Sequence, residues 1–307
     1  MRMTGGWLAG LGLLLALGVV GPAPCATKGE AAAPPTLAQI LEAAPVGDWR
    51  AVDPENTLYL TLPQGRVIIE LAPEFAPDHI ANIKRLARAG FYQGLSVVRV
   101  QDNYVVQWGD ANSSHPTGGG QLRLKAEFDH PYRAADRFVP LPDPDTYAPT
   151  TGFAGGFPAA RDPVSHLTWL THCYGMVGAG RDVDVDSGGG PELYAVIGQA
   201  PRQLDRNVTL VGRVLQGIDL LAALPRGHGD IGFYQTAAER IPILGLGVAA
   251  DLPESARTPL QALRTDSATF AAVVQNRRFR RDAWYHRAAG RIDVCNLPLP
   301  VRPAPVK

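Results

Sequence analysis

The chain has 307 residues, 46% of them hydrophobic and 19% charged, enough to bury a substantial core. Lysine plus arginine balance aspartate plus glutamate at 29 each, for a formal net charge of zero. That balance argues against nucleic acid or an anionic membrane surface as the partner.

Residues 1–26 read as a signal peptide. Arg2 supplies the positive start, and Trp7–Val20 is an apolar run of 14 residues, too short to span a bilayer comfortably. Cys25 raises the alternative of a lipoprotein, which Pro24 disfavours. Soluble export, to a periplasm-like compartment, therefore ranks above lipidation or an uncleaved anchor. Residues 27–54 are rich in Ala and Pro and read as a tether with one short helix at Leu37–Ala43.

Thr57–Leu62 alternates as a strand, Gln64-Gly65 is a turn, and Arg66–Leu71 pairs back as a hairpin. Pro77 suits the first turn of a helix. Ile80, Ile83, Leu86 and Ala87 form its apolar face, and Gly90 ends it. Phe91–Asp110 then carries two β-branched runs around a polar turn at Gln101-Asp102-Asn103. Arg99 stands among valines and Gln107 follows two more. A guanidinium in such a run needs solvent, a partner or a ligand. Alternation places Val97, Arg99 and Gln101 on one face, and Val105 with Gln107 on one face of the second run.

The spacing Tyr92-x-Gly94-x4-Arg99-x4-Tyr104-Val105-x-Gln107-x-Gly109-Asp110 resembles the signature strand of the cyclophilins, the prolyl isomerases. Tyr104 stands where that family usually has Phe, and Val105 where it usually has Met. Further resemblances follow in family order. Asn82 matches the helix motif. Gly118-Gly119-Gly120 resembles the family's glycine loop at the substrate, and Ala126-Glu127-Phe128 its acidic-Phe strand. Leu170–Gly180 resembles a segment that places Gly178 and Ala179 against the peptide. Pro191–Ile197 resembles the Ser-Gln-Phe-Phe strand, with Glu192 for Gln and Tyr194 for Phe. Leu204-Asp205 through Val211-Gly212-Arg213-Val214 is the second specific match.

The resemblance implies a mainly β fold: a closed antiparallel barrel with two capping helices over residues 55–248, and a partly helical C-terminal extension over 249–307. It implies a prolyl isomerase acting on proline-containing segments of unfolded or exported proteins, or else a catalytically weak peptide-binding module. Arg99, Gln107 and Tyr104 are its expected catalytic residues. Val105, Gly178, Ala179, Glu192, Tyr194 and Leu204 are its expected substrate contacts. The Tyr104 and Tyr194 hydroxyls need partners, with Glu192 or Gln107 as candidates. No cofactor, metal, nucleic acid or membrane partner is expected, and the chain is read as a monomer.

Other stretches stand outside the resemblance or carry a competing motif. Residues 130–166 lack a steady period and read as an insert on the surface. Asp182, Asp184 and Asp186 have calcium-loop spacing, but Ser187 and Leu193 fill positions that need Gly and Glu. Thr258-Pro259 and Asp266-Ser267 are helix-start signals, and Asn296–Lys307 is a Pro-rich tail. Cys173 and Cys295 remain after export. They could bridge the extension to the domain, or Cys173 could be a buried thiol. The sequence leaves both readings open.

Overall fold

The computed structural model describes residues 34–110, 112, 114–132, 137–282 and 284–305. The expected signal peptide and the first part of the expected tether lie outside them. Among the described residues, seventeen strands and four α-helices make up the regular structure. The first are α1 (Leu37–Glu42), β1 (Trp49–Ala51), β2 (Thr57–Leu62), β3 (Gly65–Leu71) and α2 (Pro77–Arg88). Next come β4 (Ser96–Val100), β5 (Val105–Gly109), β6 (His130–Pro131), β7 (Phe138–Pro140), β8 (Thr150–Ala154), β9 (Phe157–Asp162) and β10 (Leu167–Leu170). Then follow β11 (Met176–Ala179), β12 (Glu192–Val196), β13 (Leu210–Gln216) and α3 (Ile218–Ala222). The last are β14 (Ile241–Pro242), β15 (Gly245–Val248), β16 (Leu260–Leu263), α4 (Ala268–Phe279) and β17 (Val301–Pro303).

Nine strands form one curled antiparallel sheet in the order β14-β4-β5-β12-β11-β13-β3-β2-β15. The closed barrel expected from sequence is not formed, because no ladder among the described residues joins the two edge strands. The two-residue link between them bridges the seam instead. The Ile243 N–H donates to the Leu95 carbonyl and the Leu244 N–H to that of Thr61, each at 2.9 Å. The concave side holds the main core, with Leu58, Leu60, Val67, Ile69, Val106 and Trp108 from the strands. Helix α2 adds Ile80, Ile83 and Leu86, and α3 adds Leu221. The apolar face read from the α2 sequence is the face that is buried.

A second core lies beside the first, and no sequence pattern announces it. Strands β6 to β10 form a five-stranded sheet in the order β6-β10-β9-β8-β7, so the described part of the expected surface loop at 130–166 contributes four strands, β6 to β9, to an ordered sheet. Its strands are short and rich in Gly, Ala and Pro, which erases the alternation that reveals a strand. Strands β1, β16 and β17 form a three-stranded sheet. From Leu37 on, the expected tether is therefore helix and strand. Thr258-Pro259 precedes a strand rather than a helix, and the Pro-rich tail contributes β17. Ser267 does cap α4, its hydroxyl accepting from the Phe270 N–H at 3.1 Å. Trp49, Phe153, Phe157, Phe270, Val273 and Leu297 fill this second core.

Covalent and ionic ties link the segments of the second core to one another and to the curled sheet. Cys173 and Cys295 form a disulfide, with a Cα–Cα distance of 4.9 Å. Glu70 of β3 accepts from Arg50 of β1 at 2.5 Å and from Arg213 of β13 at 3.2 Å. Arg278 of α4 donates to both oxygens of Asp143 at 2.8 and 3.0 Å.

Candidate active site

A β-bulge creates the site. In the β4–β5 ladder Val97 opposes Trp108 and Arg99 opposes Gln107, so β4 carries one extra residue at Val98. Bulges re-aim the side chains around them. Val97 joins the main core, whereas Arg99 turns outward into a cavity. The expectation that Val97 and Arg99 share a face is thus overturned, because strict alternation fails across a bulge. On β5, alternation holds. Val106 and Trp108 point into the core, and Val105 and Gln107 point to the cavity.

The cavity has a volume of about 500 Å³ and collects Arg99, Tyr104, Val105, Gln107, Glu192, Tyr194 and Leu204. These are seven of the nine residues expected from sequence. Gly178 and Ala179 are not part of its lining. Ala179 lies in the main core. Gly178 lies under Tyr194, where a Cβ would strike the phenol ring. The lining also includes Val208, at a binding-site position of the family motif, and Gly180, Arg181, Asp182, Ile231 and Phe233, which motif reading did not select as site residues. Ile231 and Phe233 belong to an irregular loop after α3, and no local pattern marks such residues. Gly118 and Gly120 pack against Ala89 and Leu86 at the C-terminal end of α2, where a Cβ on either would clash, and are not part of the cavity lining.

The floor is apolar. Val105, Tyr194 and Val196 are buried together, with Tyr104 and Val208 packed against them. Above it the polar groups form a chain. Arg99 donates from Nε to the Ile231 carbonyl at 2.7 Å and from Nη1 to Gln107 Oε1 at 3.1 Å. Its Nη2 donates to Gln101 Oε1. Gln107 Nε2 donates in turn to Glu192 Oε1 at 2.9 Å. The guanidinium also lies 5.6 Å from the Tyr104 ring centre and 5.5 Å from that of Phe233. Burial pulls the Arg99 pKa down, while Tyr104 and Glu192 oppose that shift. Arginine remains charged regardless.

The Tyr194 hydroxyl is anchored from behind, though not by Glu192 or Gln107. It lies 2.8 Å from His172 Nε2, and His172 Nδ1 lies 3.0 Å from Asp205 Oδ1. The Asp205 carboxylate selects the tautomer with hydrogen on Nδ1, so the phenol donates to Nε2. Arg202 continues the chain, donating to Asp205 at 2.5 Å and to both oxygens of Asp145 at 3.0 Å. Burial pushes the Tyr194 pKa far up, so its hydroxyl keeps its proton. His172 and Cys173, adjacent in sequence, thus take separate structural roles. Glu127, expected on a strand, lies in an irregular segment. It accepts from the Asp78 and His79 N–H groups at the start of α2, at 3.1 and 2.9 Å. Asp184 and Asp186 of the calcium-like loop accept from the Asp186 and Ala126 N–H groups at 3.0 and 2.8 Å.

The site is thus a charged donor and an amide set above an apolar floor, in a cavity large enough for more than one peptide side chain. The cyclophilin type peptidyl-prolyl cis-trans isomerase/CLD family model matches residues 57–248, and the chain belongs to that family. Peptidyl-prolyl cis-trans isomerase B of Bacillus subtilis is 32% identical over 133 residues, covering 41% of this chain and 87% of that protein. A probable peptidyl-prolyl cis-trans isomerase of Brucella suis is 48% identical over 60 residues, or 20% of this chain, and the match spans 31% of that relative's length. Among solved structures, cyclophilin AquaCyp293 from Hirschia baltica superposes with a TM-score of 0.66 at 28% identity. That superposition covers 83% of this chain and 92% of the other.

Proposed function

We propose that this chain is a peptidyl-prolyl cis-trans isomerase acting on proline-containing segments of exported proteins. The observation that carries the reading is Arg99, held opposite Gln107 over the floor of Val105 and Tyr194. An X-Pro bond isomerises slowly because rotation breaks C–N resonance, a barrier of roughly 18–20 kcal/mol. A catalyst must favour the twisted amide over both planar forms. In the twisted state the prolyl nitrogen becomes pyramidal and basic, and a fixed donor aimed at it lowers the barrier. Arginine has five N–H donors, and three of those on Arg99 are engaged by Ile231, Gln107 and Gln101. Two are left for the substrate. The second Nε2 hydrogen of Gln107 is left to hold a substrate carbonyl, while Tyr104, Val105, Tyr194 and Leu204 hold the ring.

The disulfide between Cys173 and Cys295 supports export, since such bonds persist in oxidising compartments. Arg99→Ala should lower kcat/KM on proline peptides by about one to three decades, the scale for losing an oriented transition-state donor. Peptide affinity should fall much less. Wild-type turnover in that variant would refute the assignment, and a wild-type protein that binds peptides without turnover would be a binding module instead.

A further inference from the structure

We infer that Glu192 is a specificity-determining carboxylate that selects prolines flanked by a basic residue. The inference rests on the isomerase reading above and adds the substrate class. Glu192 and Tyr194 lie two residues apart on β12, so they face the same side. At about 3.3 Å per residue the two side chains are displaced by roughly 6.6 Å along the strand. A proline ring seated on Tyr194 therefore brings a neighbouring residue of an extended peptide within reach of Glu192.

The Glu192 carboxylate makes no ion pair among the described residues. Oε1 accepts from Gln107, a neutral amide, and the other oxygen has no hydrogen-bond partner among the described residues. Two arginines line the cavity, and neither pairs with it. Arg99 spends its bonded donors on Ile231, Gln107 and Gln101. Arg181 donates to the carbonyls of Asn207, Asp182 and Val183 at 2.8, 2.6 and 3.3 Å. Burial raises the Glu192 pKa and Asp182 and Asp110 add to the rise, while the Gln107 bond and the Arg99 charge oppose it. Asp182 itself lines the cavity. A half-buried anion with acidic neighbours and no cation bonded to it favours a cationic side chain brought by a ligand, and repels an acidic one.

The test uses two series of proline peptides, one varying the residue before proline and one the residue after, each with Lys, Leu or Glu there. In at least one series, kcat/KM at low salt should favour Lys over Glu by about tenfold or more, and high salt should shrink the ratio. Glu192→Gln should bring the ratio near one. A wild-type ratio near one in both series, or a ratio unchanged by Glu192→Gln, overturns the inference. Turnover of the Leu peptides reports on the isomerase reading separately. Affinities of the same peptides, measured by fluorescence titration, carry the same ratio even where turnover is absent, so failure of one reading is distinguishable from failure of the other.

Discussion

The buried chain from Asp145 to Tyr194 makes an ordered prediction about stability. Arg202 and Asp145 are each 3% exposed, and Asp205 is 6% exposed. One guanidinium thus serves two carboxylates out of water. Asp145→Ala removes two charge-assisted bonds but leaves a neutral Arg202–Asp205 pair. Its cost should sit at the low end of what breaking a buried pair costs, about 3 kcal/mol. Arg202→Met strips the shared cation from both carboxylates and should cost about 5 kcal/mol or more. At roughly 2 °C per kcal/mol for a domain of this size, Tm falls by about 6 °C and about 10 °C respectively. Thermal unfolding followed by circular dichroism reads both values. Kinetics add a second reading. Asp205 orients His172, which holds Tyr194, so Arg202→Met should also raise KM for proline peptides more than Asp145→Ala does. An Arg202→Met protein as stable as Asp145→Ala would refute the shared-cation argument.

Three further outcomes are expected. Replacing Cys173 and Cys295 by Ser should destabilise by up to about 4–5 kcal/mol, the chain-entropy figure for a loop of this length, whose sequence separation is 122; thiol titration of the unfolded, unreduced protein should find neither thiol free. Tyr194→Phe leaves His172 Nε2 without its donor and should cost about 1–3 kcal/mol in urea unfolding; an unchanged midpoint would sink the anchoring role. Glu127 is held below the ordinary carboxylate range: burial raises it, but bonds from His79 and Asp78 outweigh that. A depressed folded-state pKa contributes stability above the unfolded value and loses it as pH falls through the folded one. Glu127→Gln should therefore destabilise at neutral pH, and the gap to wild type should close in acid.

Where local pattern carried the information, the chain was legible. Thr57–Leu62 and the Pro77 helix form where period and end signals placed them, because alternation and a 3.6-residue stripe both express one buried face. Arg99 and Gln107 stood out because polar groups in β-branched runs need a reason. Seven of the expected site residues meet in one cavity. The second lobe escaped because its strands are short and its composition resembles loop. Its three segments, 34–54, 130–170 and 249–305, are far apart in sequence, and none shows a core alone.

Sequence by itself determined the family, the opening order of strand, turn, strand and helix, and five of the polar residues that line the cavity, Arg99, Tyr104, Gln107, Glu192 and Tyr194, since each depends on neighbours a few positions away. Tertiary structure alone decided the rest. The bulge at Val98 turns Arg99 out of the core, a register choice made against β5. Gly178 serves as the bed for a ring on the adjacent strand rather than as part of the cavity lining. The Tyr194 hydroxyl takes His172, 22 positions back, and through Arg202 the insert's Asp145 reaches the floor of the site. Such partners are set by cross-strand register and by desolvation of charges packed together on folding. Those are properties of distance in space, which distance along the chain does not encode.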